Sequence, residues 1–297
     1  MEYFSDQQRG KREAFREDIP VRVKSGILEY ICSLIDNGSF GQDFSKTCDE
    51  YPSAIIGTNS ERFWAVCYAE LPNLPEYLEA EKFEVLNLLD LIQFCFQHVC
   101  TPTQLRYHDY YCHHHLTFDK MAGGLTFLEK VNKIFERNDI VFRLQPDGEI
   151  IRTLPPELIQ LLDASKTGNE AGFDGLLADA KAKICDPDPS VRKEALERLW
   201  DAWERLKTLE EGKDKKTQAT KLLDKAALSP EFRNLLEKEA KELTEIGNTF
   251  QIRHHELGKH EIKDPGQIDY LFFRMLSMIL LLLKARRGTP CSSPIPT

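Results

Sequence analysis

Leu235 to Ile252, LLEKEAKELTEIGNTFQI, runs through RHHELGKH (Arg253 to His260) towards Ile268 to Ala285, IDYLFFRMLSMILLLLKA. In the first segment Leu235, Leu236, Leu243, Ile246 and Phe250 fall on the three- and four-residue spacing of one helix face. Arg253 therefore stands near that helix's C-terminal end. Gly258 breaks the pattern and Asp264-Pro265-Gly266 marks a turn. A strongly apolar helix then resumes through Leu271, Met275, Met278 and Leu282. The polar octet is thus placed at a helix-to-helix junction, with a permanently charged guanidinium seven residues before an imidazole, the side-chain type most used for general acid–base work.

Working upstream, Asp186-Pro187-Asp188-Pro189-Ser190 carries acid, proline and serine start signals. Val191, Ala195, Leu199, Ala202 and Leu206 form the buried stripe of the helix that follows. A shorter helix around Gln218 to Leu228 completes a four-helix set. The N-terminal part is also mainly helical, with helix-period apolar residues over Ile27 to Ile35, Glu61 to Leu71, Lys82 to Val99 and Leu125 to Arg137. It closes on a small β-hairpin within 140–152, where Ile140 to Leu144 and Glu149 to Arg152 flank Pro146-Asp147-Gly148. Asp163 to Gly175, rich in Gly, Ser, Asn and Thr, is the best boundary, and 288–297 reads as a disordered tail. The expected fold class is all-α with one small hairpin, divided into 1–162 and 176–287.

The Arg253, polar residue, His260 pattern near the end of a bundle helix resembles the HEPN superfamily over roughly 170–287, specifically the C-terminal domains of abortive-infection-like proteins. His254 supplies the polar residue after the Arg. Ile262 stands where some toxin relatives carry a tyrosine, so regulation by modification there is not implied. The N-terminal part, through Phe4-Ser5-Asp6, Asn132 to Phe135 and Gly148 to Ile151, resembles the domains paired with HEPN domains in abortive-infection proteins. Together these resemblances imply a four-helix HEPN-like bundle acting as a metal-independent endoribonuclease in bacterial antiphage defence or a stress response. Arg253 and His260 are the implied catalytic residues, and His254, His255 and Lys259 the implied substrate-binding ones. RNA, a second copy of the chain and a phage-derived trigger or regulatory protein are the implied partners. Two other readings stay open. Arg253 and the histidines can serve as C-terminal helix caps, or the bundle can bind nucleotide, RNA or protein without cutting, which Lys259 and Glu261 favour.

Composition fits an ordinary globular protein of 297 residues, with 41% hydrophobic and 29% charged residues. Eight cysteines without a CxxC pair argue against a disulfide framework and fit a reducing cytoplasm. Met1 to Arg9 has no apolar core, and Met275 to Leu283 is too short to span a bilayer, so no membrane partner is expected. The net charge of −9 is uneven: 181–297 holds 22 Lys and Arg against 19 Asp and Glu, leaving 17 against 29 for 1–180. The cluster Lys213, Lys215, Lys216 and Lys221 is compatible with a phosphate backbone or with a solvated loop.

One rival cluster lies in Tyr107 to His115, YHDYYCHHH. Cys112 and His115 would share a helix face as zinc ligands can, but three consecutive histidines point in different directions on a regular element. The alternative is an aromatic-rich loop packed on the core. No metal or cofactor is expected, and purified protein should carry less than about half an equivalent of zinc. Trp64, Trp200 and Trp203 are expected in the core or at a domain interface.

Overall fold

The computed structural model describes residues 14–164, 170–250, 252 and 260–287. Among them are ten α-helices and three two-stranded antiparallel sheets, in two compact units, Met1–Thr153 and Leu154–Thr297. The mainly helical class expected from the sequence is observed. The single expected hairpin is one of three.

In the first unit, Val23, Ile27 and Ile31 line the buried face of α1 (Val21–Asp36), which Pro20 precedes. Asn59 caps α2 (Ser60–Glu70) by accepting the Arg62 amide at 3.0 Å. The central helix α3 (Val85–His98) buries Leu88, Leu89, Leu91, Ile92, Phe94 and Cys95 over much of its circumference. Asp119 caps α4 (Lys120–Arg137), whose Phe127, Val131 and Phe135 complete the core. The sheets are β1 (Ser45–Thr47) with β2 (Ile55–Thr58), β3 (Thr101–His108) with β4 (His113–Asp119), and β5 (Phe142–Leu144) with β6 (Ile150–Arg152). The last is the hairpin predicted around Gly148, which adopts φ +92° where only glycine is unstrained.

Gly123 sets how closely α4 approaches the start of β3. A Cβ there would lie 2.4 Å from the Cys100 backbone, whereas one at Gly124 would meet only the Phe96 ring at 3.6 Å. Gly123→Ala is therefore expected to destabilise the protein by about 1–3 kcal/mol through overpacking. Gly124→Ala is expected to be neutral or slightly stabilising. Chemical denaturation of the two variants checks the contrast, and equal midpoints would contradict it.

The second unit contains α5 (Pro156–Ala164), α6 (Ala171–Ile184), α7 (Pro189–Leu206), α8 (Lys215–Ala226), α9 (Pro230–Thr249) and α10 (Pro265–Arg286). Two of these six, α5 and α6, exceed the four helices expected, and both enter or overlap the segment read as a linker. Phe173, Leu177, Ala180 and Ile184 give α6 a regular buried stripe, and Glu170 caps it by accepting the Phe173 amide. A shared device starts α7, α9 and α10: Asp188, Ser229 and Asp264 each cap a helix whose first residue is proline. Helix α10 packs on α7 and α8, and its Ile268, Phe272, Met275, Ile279 and Leu282 enter a core containing Trp200 and Trp203. Most of the apolar circumference of α10 is thereby covered within the chain. No helix among the described residues is long and apolar enough to cross a membrane.

Candidate functional site

Two places concentrate chemistry. The first is the junction between α9 and α10. Helix α9 ends at Thr249, and its next residue, Phe250, donates its amide to the Ile246 carbonyl at 3.0 Å. The His260 amide donates to the Thr249 carbonyl at 3.1 Å, satisfying one of the acceptors a helix leaves at its C-terminus. This contact is made by the His260 backbone; Arg253, His254 and His255, on which the side-chain capping reading also rests, lie outside the described residues. The His260 side chain is exposed, and its ring lies 6.1 Å from the Phe250 ring. Ile252 and Ile262 are both buried in the helical core, so the described ends of the junction are anchored on either side of His260. Glu261 has Lys193 at 3.5 Å and Lys263 at 3.6 Å, which offset its charge beside the histidine. Arg253, His254, His255 and Lys259 lie outside the described residues. Of the five sequence-predicted site residues, the structure therefore places His260.

The second place is the β3–β4 hairpin, where the fold departs from the sequence reading. Tyr107 to His115 forms the paired ends of two strands and their turn. His108 pairs with His113 and Tyr107 with His114. Strand alternation puts His113 and His115 on the face of His108 and sends His114 to the opposite face, where its ring lies 4.8 Å from Tyr107. Three consecutive histidines thus contribute two to one side, which a helix would not achieve. Cys112 is not with them: it occupies the turn at φ +52°, with its thiol 3.4 Å from the Asp109 carbonyl.

The thiol that does join the histidines comes from 60 residues upstream. A register shift between Lys46 and Thr47 marks an irregularity at the end of β1, just before Cys48, a device that can re-aim side chains. The Cys48 amide donates to the Ala54 carbonyl at 2.9 Å, closing the loop that carries Glu50 and Tyr51. Cys48 is buried, and its Sγ lies 3.5 Å from His108 Nδ1. On the far side of the same ring, His108 Nε2 lies 2.8 Å from a Glu50 carboxylate oxygen. Tyr51 covers the cluster, its ring 5.5 Å from His108 and 5.8 Å from His115. One donor atom from each of Cys48, His108, His113 and His115 lies within 4.8 Å of all the others. The Nε2 atoms of His113 and His115 are buried without a hydrogen-bond partner. Burial lowers the pKa of His115, and the neighbouring His108, His113 and Arg106 lower it further. No local spacing could have revealed Cys48; the available signal was His113-x-His115 read at strand period.

Between the two compact units the charge is less uneven than between the stretches on either side of residue 180. The second unit, from Leu154, has 23 Lys and Arg against 24 Asp and Glu, because Glu157, Asp163, Glu170, Asp174 and Asp179 precede residue 181. The first unit has 16 against 24. The second is close to neutral, so any phosphate recognition there rests on local groups.

In comparisons with known proteins, the family model described as AbiJ N-terminal domain 4 matches residues 2–166, more than half of the chain. No curated protein and no solved structure matches it.

Proposed function

The chain belongs to the AbiJ N-terminal domain 4 family, and from that premise we propose that its second unit is a metal-independent endoribonuclease working in an abortive-infection response. The abortive-infection setting follows the family; the nuclease is the further step. The observation that carries it is the exposed His260 imidazole at the α9–α10 junction, between buried anchors at Ile252 and Ile262. Such anchoring can hold a base while leaving it open to substrate.

In the proposed reaction His260 takes the proton from a ribose 2′-hydroxyl as that oxygen attacks the adjacent phosphorus. The bond to the 5′-oxygen breaks, and that oxygen leaves with a proton supplied by His254 or His255. Arg253 binds the scissile phosphate and offsets the charge that develops on its oxygens. Lys259 contributes to backbone binding. The products are a 2′,3′-cyclic phosphate and a 5′-hydroxyl. The ion pairs from Glu261 to Lys193 and Lys263 reduce the repulsion that this carboxylate would otherwise exert on RNA.

Total RNA incubated with the purified chain in EDTA tests this reading directly. Cleavage is expected there, since each step uses a side chain or the substrate's own hydroxyl. Wild-type protein that binds RNA but leaves it intact, with or without divalent ions, would support the binding module instead.

A composite site also calls for a second copy of the chain. Tyr270, Phe273, Ser277, Met278 and Leu281 line a shallow groove on α10, beside the Arg274 pairs with Glu239 and Glu242. This groove is the proposed contact between protomers. Light scattering is expected to give a dimer at ~10–50 micromolar, a range in which weak association is already populated. A monomer at that concentration would count against a shared cleft.

A further inference from the structure

We propose that Cys48, His108, His113 and His115 form a structural zinc site that joins the loop after β1 to the tip of the β3–β4 hairpin. The donor set is one thiolate and three imidazoles, both of which suit zinc, and four protein ligands close a tetrahedral shell. At ordinary zinc bond lengths, a sulfur and a nitrogen of one tetrahedron are about 3.5 Å apart. Cys48 Sγ and His108 Nδ1 have that separation. A pair of donors at the 4.8 Å limit would close by about 1.4 Å to complete the shell.

Independent features of the structure point to the same ligand. The Nε2 atoms of His113 and His115 are buried and unpartnered. A buried polar atom left unpaired loses its hydration without compensation, unless something occupies the lone pair. Unlike them, His114 Nδ1 is also an orphan but sits on the other face, so a missing partner alone does not define the site. Glu50 supplies an outer-shell interaction: accepting from His108 Nε2–H fixes the tautomer whose Nδ1 lone pair faces Cys48. Binding displaces the Cys48 thiol proton to solvent, so the ion faces one negative ligand and three neutral ones.

The fold also gives the ion a physical task. Leu105, Tyr107, Tyr110 and Tyr111 are exposed along the outer part of the hairpin, which has little apolar backing of its own. An isolated two-stranded hairpin is marginal in water. A cross-link from Cys48 to both of its strands holds the tip without a core. The sequence alone weighs Cys112 with His115 and expects little zinc. The hairpin removes Cys112 from the set and brings in Cys48, His108 and His113 instead.

The test is elemental analysis of full-length protein loaded with zinc and dialysed against metal-free buffer. About one zinc per chain is expected for the wild type. Cys48→Ser and His115→Ala should fall far below that, while His114→Ala and Cys112→Ser should retain it. Zinc should raise the thermal midpoint of the wild type but not of Cys48→Ser. Should Cys48→Ser fail to fold, cobalt binding by the wild type still decides. The site predicts thiolate charge-transfer absorption and tetrahedral d–d bands, kept in Cys112→Ser. A wild type that retains neither metal, zinc held equally by wild type and His115→Ala, or zinc lost in Cys112→Ser would overturn the proposal. The nuclease reading is tested separately, because its Arg253 and His260 supply none of these ligands.

Discussion

Trp200→Ala should lower the stability of the second unit by about 4 kcal/mol, within the range found when a fully buried aromatic side chain is truncated. Trp200 is completely buried in α7, and its indole N–H donates to the Leu243 carbonyl of α9 at 3.0 Å. The indole reaches that carbonyl because position 247 has no side chain: a Cβ on Gly247 would lie 2.3 Å from Trp200 Nε1. Truncation therefore opens a large cavity and removes the tie between two helices. Gly247→Ala acts from the other side by driving the ring away, with an expected loss of about 1–3 kcal/mol or somewhat more. The double variant should lose less than the sum, since both changes disrupt one contact. Denaturant unfolding measures all three, and additive losses would contradict a shared contact.

The second large effect is on catalysis. His260→Ala should reduce RNA cleavage by roughly 10²–10⁴-fold, the usual contribution of a positioned general base. Its exposed ring packs into no core, so the unfolding midpoint should hardly move. Arg253→Ala should cause a comparable loss by removing the charge that balances the transition state. A fall in cleavage accompanied by an equal fall in folded protein would instead assign the histidine to structure.

The legible parts of the fold were those with strong apolar contrast. Leu243 and Ile246 on α9 repeat at helix period among polar neighbours, and Leu271, Met275, Met278 and Leu282 on α10 keep that period within a long apolar run that opens on a turn, so both helices could be read locally. Helix α6 was obscured because Gly172, Gly175 and several alanines dilute the stripe of Phe173, Leu177, Ala180 and Ile184. Strand β3 was obscured for the opposite reason. Leu105 and Tyr107 are exposed in it, so no buried-and-polar alternation marks a strand. The histidines were visible as potential ligands, but assigning the wrong period paired His115 with Cys112. Cys48 reaches the cluster only through tertiary structure, and no pattern within either segment contains that fact. At the C-terminal junction, the sequence locates His260 between two helices, and the structure adds the backbone cap to Thr249 and the flanking buried isoleucines.

The most direct measurement compares wild type and His260→Ala on the same RNA in EDTA and identifies the new ends. The wild type should produce 2′,3′-cyclic phosphates and 5′-hydroxyls, while folded His260→Ala should produce almost none. Equal cleavage by the two proteins would contradict the nuclease assignment.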